Sequence, residues 1–217
     1  MEEARDLIQL YVNEKIKVLG EFPIGETAEA ANLVWNAYLR GGTIYGCGNG
    51  GNAAYVSNLL TDLSMHPFVS DDKSRPMAHD VKRLRTSHLV SSGATITAIL
   101  NDIGPEQIFS QQLINDGVKR YDVVFGFTGS GNSGNVLEAF EIAREYGATT
   151  IAITRGKGGK AKDLADLCIV IPGTSQFPGQ VGGNDNNFHY EDALSSIAHM
   201  ITGIMRKRVT DLYSNGR

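Results

Sequence analysis

The chain has 217 residues, 41% hydrophobic and 20% charged, enough apolar material for one domain of ordinary to large size and far from the composition of disorder. Twenty Lys and Arg against 24 Asp and Glu give a net charge of −4, which excludes general electrostatic attraction to nucleic acid or an anionic membrane. Only Cys47 and Cys168 are present, which excludes a disulfide framework; with no apolar run near the ~18 residues of a membrane span and an acidic start unlike a signal peptide, a soluble cytoplasmic protein is expected.

Residues 4–19 predict an amphipathic helix, with Leu7, Leu10, Tyr11 and Ile16 among charges. Residues 27–39 predict a second, capped by Thr27 and stopped by Gly41-Gly42. A strand at 43–47 leads through a loop to a helix at 53–65. Residues 66–86 are polar and contain Pro67 and Pro76, so an irregular excursion with a short helix or lid is expected there. Strand 88–90 and short helices at 94–100 and 106–117 follow. The clearest strand is 122–128, followed by a helix at 135–146. Strand 149–154 is β-branched and apolar enough for burial on both faces. A last strand within 164–171 is closed by Pro172. Residues 173–187 read as loop, and 191–208 as a final helix with a broad apolar face that includes Leu194, Ile197, Ile201 and Met205. Repeated strand–Gly loop–helix units predict an α/β fold with a mostly parallel sheet.

The 25 glycines are about one residue in nine, against an average near 7%, and they cluster. Gly48-Asn49-Gly50-Gly51-Asn52 and Gly131-Asn132-Ser133-Gly134-Asn135 align with a shift of 83 residues, each between a strand and a helix. Small residues there let backbone N–H groups approach an anion, and the helix N-terminus adds partial positive charge. Thr128, Ser130 and Ser133 bring hydroxyls to the second loop, which suits a phosphate ester. No Gly-Lys-Ser/Thr follows either loop, and the dinucleotide spacing with its acidic residue is missing, so nucleotide readings fall.

Cys47-Gly48-Asn49-Gly50-Gly51-Asn52-Ala53-Ala54, Asn101-Asp102-Ile103-Gly104, Thr128-Gly129-Ser130-Gly131-Asn132-Ser133 and Gly156-Lys157-Gly158-Gly159-Lys160 resemble the sugar isomerase (SIS) superfamily, and within it the phosphoheptose isomerase group. The resemblance covers roughly residues 30–208. It implies a three-layer α-β-α sandwich around a five-stranded parallel sheet in residues 40–217, with a helical extension in residues 1–39. It also implies a homotetramer with active sites between subunits, so that residues 1–39 pack on the domain and on a neighbouring copy. The substrate would be a sugar phosphate, touched by Asn49, Gly50, Gly51, Asn52, Asp102, Thr128, Gly129, Ser130, Asn132 and Ser133. Asn52 stands where the family has a Ser.

Aldose–ketose interconversion moves a proton between adjacent carbons through a cis-enediol, which needs a base and an acid. The resemblance places the base at Asp62, where the family has Glu, and the acid at His199. It also implies a zinc or other divalent metal site at Asn58, Asp62, Glu191 and His199, with Asn in place of His, Asp in place of Glu and Glu in place of Gln. Asn58 and Asp62 are i,i+4 on one helix face, and Glu191 and His199 are two turns apart. A neutral Asn is a weaker zinc ligand than imidazole. His66 and His79 read as loop residues, and His189 as a residue facing the site. Residues 176–187 look longer than their family counterpart. Two functions are therefore carried: a phosphosugar isomerase most like sedoheptulose 7-phosphate isomerase, and a catalytically silent SIS protein that binds a phosphosugar and regulates or bridges a partner.

Overall fold

The structure is a computed structural model and describes residues 2–69, 81–180 and 182–214. Five strands, β1 (Thr43–Gly48), β2 (Arg85–His88), β3 (Val123–Phe127), β4 (Thr149–Arg155) and β5 (Leu167–Ile171), form one parallel sheet in the order β2-β1-β3-β4-β5. Helices α1 (Glu2–Gly20), α2 (Ile24–Arg40), α3 (Gly51–Met65), α4 (Gly93–Asp102), α5 (Ser110–Asp116), α6 (Gly134–Glu145), α7 (Ala161–Leu164) and α8 (Asn187–Ser214) surround it. Side chains alternate across the strands with the period of 2 that a sheet imposes. Ile44, Val123, Phe125, Ile151 and Ile153 enter the core under α2, α3 and α8. Tyr45, Cys47, Val124 and Ala152 enter the core under α5, α6 and α7. Helices thus cover both faces, the three-layer sandwich expected, and the central strands are buried on both faces, with Thr150 and Thr154 of β4 buried among apolar residues.

Two mid-strand glycines set how closely helices approach the sheet. A Cβ at Gly46 would run into Val56 and Leu60 of α3, and one at Gly126 into Val136 and Phe140 of α6. These three pairs of positions are each 80 residues apart, so the strand–helix packing repeats at 80. The loops and the first helical residues, Gly51 and Gly134, repeat at 83. The second unit spends three more residues in its loop before its helix begins.

Several element boundaries differ from the sequence reading, among them that of α8, which begins at Asn187 rather than 191. Helix α2 begins at Ile24, and Thr27 lies inside it, buried, its hydroxyl donating to the Pro23 carbonyl at 2.8 Å. The second strand is Arg85–His88 rather than 88–90, because its polar residues pair in register with Thr43–Gly46 on β1 at the sheet edge. The short helices expected at 106–117 become a 3-10 turn at Pro105–Gln107 and then α5. Of the excursion expected at 66–86, a 3-10 turn at His66–Phe68 continues α3, and residues 70–80, with His79, lie outside the described residues.

Helix α1 is anchored by a buried polar cluster. The Glu14 carboxylate accepts from the Ser175 hydroxyl at 2.6 Å and the Gln176 N–H at 2.7 Å, and lies 3.0 Å from His189 Nε2. His189 is 1% exposed and stacks on Tyr11, so it faces this cluster and not the loops at the strand ends. Burial works against the charged Glu14, but the hydrogen bonds from Gln176, Ser175 and His189 outweigh it and hold the pKa below the ordinary 4.5. A depressed carboxylate pKa contributes stability that is complete above the unfolded value and lost as pH falls through the folded one. Glu14→Gln is therefore expected to lower the unfolding midpoint at neutral pH and to flatten the acid limb below about pH 4.5, read by thermal unfolding from pH 7 to pH 3. An acid limb of unchanged slope in the variant would assign the acid sensitivity to other groups.

Candidate active site

In a parallel sheet the crevice for ligands opens outside the carboxyl ends of the strands where the order reverses. Here the reversal falls between β1 and β3. The loop after β1 and the loop after β3 both leave at this point. A reciprocal pair of amide bonds clasps them: Asn49 Nδ2 donates to Asn135 Oδ1 at 2.9 Å, and Asn135 Nδ2 to Asn49 Oδ1 at 3.0 Å. The Asn49 carboxamide is thereby engaged within the chain.

The second loop is shaped by backbone packing against residues 156–160. Gly131 has φ +69°, and a Cβ there would collide with the Gly158 carbonyl. Lys160 N donates to Asn132 Oδ1, and Ala161 N to the Gly131 carbonyl. Ser130 is exposed, and its Oγ accepts from the Asn132 N–H at 3.2 Å, which leaves its own hydrogen to donate. Ser133 is the N-cap of α6, yet its side chain makes no capping bond; its hydroxyl lies 3.1 Å from that of buried Thr128. The Val136 and Leu137 N–H groups both donate to the Ser133 carbonyl at 3.0 Å, and those of Gly134 and Asn135 point out of the helix end, where no carbonyl of the helix can reach. The geometry is that of an anion cradle with two serine donors.

Three further groups border the cradle. The Arg155 guanidinium, at the end of β4, packs beside Gly129 and donates to the Gly183 and Asp185 carbonyls, holding residues 182–187 against the site. Asn52 is tied to Tyr190 of α8. The Glu106 carboxylate lies over Gly134, so that a Cβ there would strike it. Asp102, four residues earlier, is exposed and accepts from Asn101 Nδ2 at 2.7 Å.

The expected acid and base come together on another part of the surface. Asp62 of α3 and His199 of α8 face each other, with His199 Nε2 3.8 Å from Asp62 Oδ2. Asn58 Nδ2 approaches the same oxygen at 3.4 Å, and His66 Nε2 approaches Oδ1 at 3.4 Å. A cleft of about 330 Å³ is lined by these four residues with Thr202, Gly203 and Arg206. Thr202 is 7% exposed, and its buried hydroxyl has no partner among the described residues.

Glu191 does not join this group. It accepts from Asn187 Nδ2 at 2.8 Å and lies against Gly51, at the far end of α3. Asp62 is eleven residues from Gly51, about 16 Å along the helix. Among the described residues no three His, Cys, Asp or Glu converge to hold a metal ion. The four residues that the resemblance offers to a metal are therefore split within one chain, with Asn58, Asp62 and His199 on one side and Glu191 on the other. Within one chain those four residues do not close on a single divalent ion.

Sequence reasoning missed His66, Arg155, Glu106 and Tyr190. His66 had a signal, since it is four residues beyond Asp62 and so on the same helix face. Arg155 had one too, as a cation between an apolar strand and a glycine. Cys47 lies beneath the first loop, but burial pushes its thiol up to about 12, which makes it an inert core residue. No helix among the described residues is long and apolar enough to cross a membrane.

Comparison with known proteins places this geometry. The SIS domain profile matches residues 11–155. The phosphoheptose isomerase of Rhodospirillum rubrum is 38% identical over 147 residues, covering 68% of this chain and 72% of that protein. That of Vibrio cholerae is 34% identical over 172 residues, covering 79% and 81%. The phosphoheptose isomerase GmhA structure from Neisseria gonorrhoeae shares the fold at TM-score 0.77 and 23% identity, over 94% of this chain and 99% of that one. A phosphoheptose isomerase structure from Francisella tularensis superposes with TM-score 0.73 at 25% identity, over 95% and 97%.

Proposed function

Because the chain belongs to the SIS domain family, we propose that it is a phosphosugar isomerase of the phosphoheptose type. It would convert sedoheptulose 7-phosphate, or a similar ketose phosphate, to the aldose phosphate. The observation that carries this reading is the pairing of Asp62 with His199 across α3 and α8, in a chain that also holds a hydroxyl-lined anion cradle. A silent phosphosugar binder is the weaker account, since it gives that pairing no work.

In the forward direction the Asp62 carboxylate removes a proton from C1 of the ketose. His199 donates a proton to the C2 oxygen as the cis-enediol forms. The proton then returns to C2, and His199 takes one from the C1 oxygen, leaving the aldehyde. Proton count and charge are unchanged overall, and no step is routed through a metal. Turnover in D2O is expected to place solvent deuterium at C2 of the aldose product, read by NMR. Product formed with no deuterium would rule out an enediol that exchanges with solvent. No turnover of any ketose phosphate, with or without added zinc, would favour the silent binder.

One chain separates the two halves of the site. The first glycine loop, clasped to the cradle through Asn49 and Asn135, lies at the start of α3, and Asp62 lies about 16 Å along that helix, farther than a seven-carbon sugar phosphate reaches. The surface around the Asp62 cleft is apolar: Ile24 is 75% exposed, Met65 55% and Met200 41%. Helix α1 adds a stripe of Ile8, Val12, Ile16 and Leu19, all exposed. We read these faces as covered by other copies of the chain, with the cradle of one copy meeting the Asp62–His199 cleft of another in a tetramer. Sedimentation at micromolar concentration is expected to give a tetramer, and Ile24→Glu with Met200→Glu to give smaller, inactive species. A wild-type monomer that turns over substrate would dismiss the composite site.

A further inference from the structure

Beneath the two glycine loops lies a tyrosine that the proposed chemistry does not use. Tyr190, in the first turn of α8, is fully buried. Its ring lies where a Cβ on Gly129 would touch it, at 3.3 Å, so it supports the start of the second loop. Its hydroxyl reaches the first loop: it lies 2.9 Å from Asn52 Oδ1 and 3.0 Å from the Ile153 carbonyl, one hydrogen shared between two acceptors. The same Ile153 carbonyl accepts from the Thr128 N–H at 3.1 Å. Burial pushes the Tyr190 hydroxyl far above the ordinary tyrosine range, so it remains a donor at every working pH.

The consequence falls on Asn52. Asn52 is half-buried with its Cβ against Gly48, and its side-chain oxygen is occupied by Tyr190. Its Nδ2 has no partner among the described residues and is not a buried orphan. A free asparagine amide rotates between two orientations, one presenting donors and one an acceptor. With the oxygen pinned, only the donor orientation remains available to a ligand at the loops. We infer that Tyr190 is a positioning residue, which fixes the Asn52 carboxamide so that it offers its N–H donors to an oxyanion or oxygen acceptor of the sugar phosphate. This rests on the phosphosugar reading of the site and deepens it. It also gives a physical reason why an Asn serves at a position where a Ser needs no such partner.

The test is a double-mutant cycle with Tyr190→Phe and Asn52→Ala, read as calorimetric affinity for sedoheptulose 7-phosphate. The phenyl ring keeps the packing under Gly129 and removes only the hydroxyl. Each single variant is expected to weaken binding by about three- to tenfold, the worth of one hydrogen bond. In the Asn52→Ala background, Tyr190→Phe is expected to add less than about twofold, because the group it positions is gone. In steady-state kinetics the KM should rise with the dissociation constant, with kcat within about twofold. Equal losses in both backgrounds would show that Tyr190 acts on the fold alone, and unchanged affinity in Tyr190→Phe would show that Asn52 needs no pin; either overturns the inference. Failure of the unaltered chain to bind sedoheptulose 7-phosphate or inorganic phosphate would overturn the phosphosugar reading itself, and the inference with it.

Discussion

Asp62→Asn is expected to reduce turnover of the ketose phosphate by about 10²–10⁴-fold, the usual contribution of a placed acid or base. The substitution is close to isosteric, and an amide can keep a hydrogen bond to a neighbour of Asp62 such as His66 or His199. What it cannot do is accept the C1 proton. Binding should change little, because the first glycine loop, clasped to the cradle that holds the phosphate, lies about 16 Å along α3 from this position. His199→Ala is expected to lose turnover on the same scale, since it removes the group that serves the two oxygens. His66 approaches the other carboxylate oxygen at 3.4 Å and is the control. If it only orients Asp62, His66→Ala should cost less than either. The checks are initial rates with sedoheptulose 7-phosphate, together with deuterium incorporation at C2. Turnover of Asp62→Asn within threefold of the unaltered chain would end the assignment of Asp62 as base and leave the cleft as a structural contact between helices.

The architecture was legible in the sequence where burial is two-sided. Val123–Phe127 sits in the middle of the sheet with every residue buried and is written as a continuous apolar run, and beside it Thr149–Thr154 is β-branched and apolar enough for burial on both faces. Strand β2 is the opposite case. Arg85, Thr86, Ser87 and His88 lie at the sheet edge, and only their hydrogen-bonded register with β1 makes them a strand. Local propensity cannot show that partner. The glycine loops were legible because φ above zero and close backbone approach each demand glycine, as at Gly131 against Gly158. Long-range pairs were not. Glu14 and His189 are 175 residues apart and Asn52 and Tyr190 are 138 apart, and neither pair leaves a periodic trace. His189 was read toward the site because it precedes the apolar face of the last helix. It lies inside that helix, turned to α1, where a buried carboxylate needs donors. The Asp62–His199 pairing came from family resemblance alone, since nothing in the spacing of two helices 137 positions apart sets their faces together.

Ser130→Ala with Ser133→Ala is expected to weaken sugar-phosphate binding by about 3 kcal/mol or more, a loss of at least a hundredfold, at ~1.5–3 kcal/mol for each hydrogen bond to a charged group. The structure makes this a clean measurement. Ser133 occupies the N-cap of α6 but makes no capping bond, so its removal costs the helix little. Ser130 Oγ accepts one bond from the Asn132 N–H, on an exposed turn whose shape is set by Gly131, Gly158 and Gly159. The unfolding midpoint should therefore move by only a few degrees while affinity falls. Some binding should persist, because the backbone N–H groups at the start of α6 and the helix dipole are untouched. Inorganic phosphate offers a second probe: if the two serines hold the phosphate, its affinity should fall by a similar factor. If they instead touch the sugar, only the sedoheptulose 7-phosphate affinity should fall. Calorimetric affinities unchanged for both probes would remove the loop at 128–133 as the anion site.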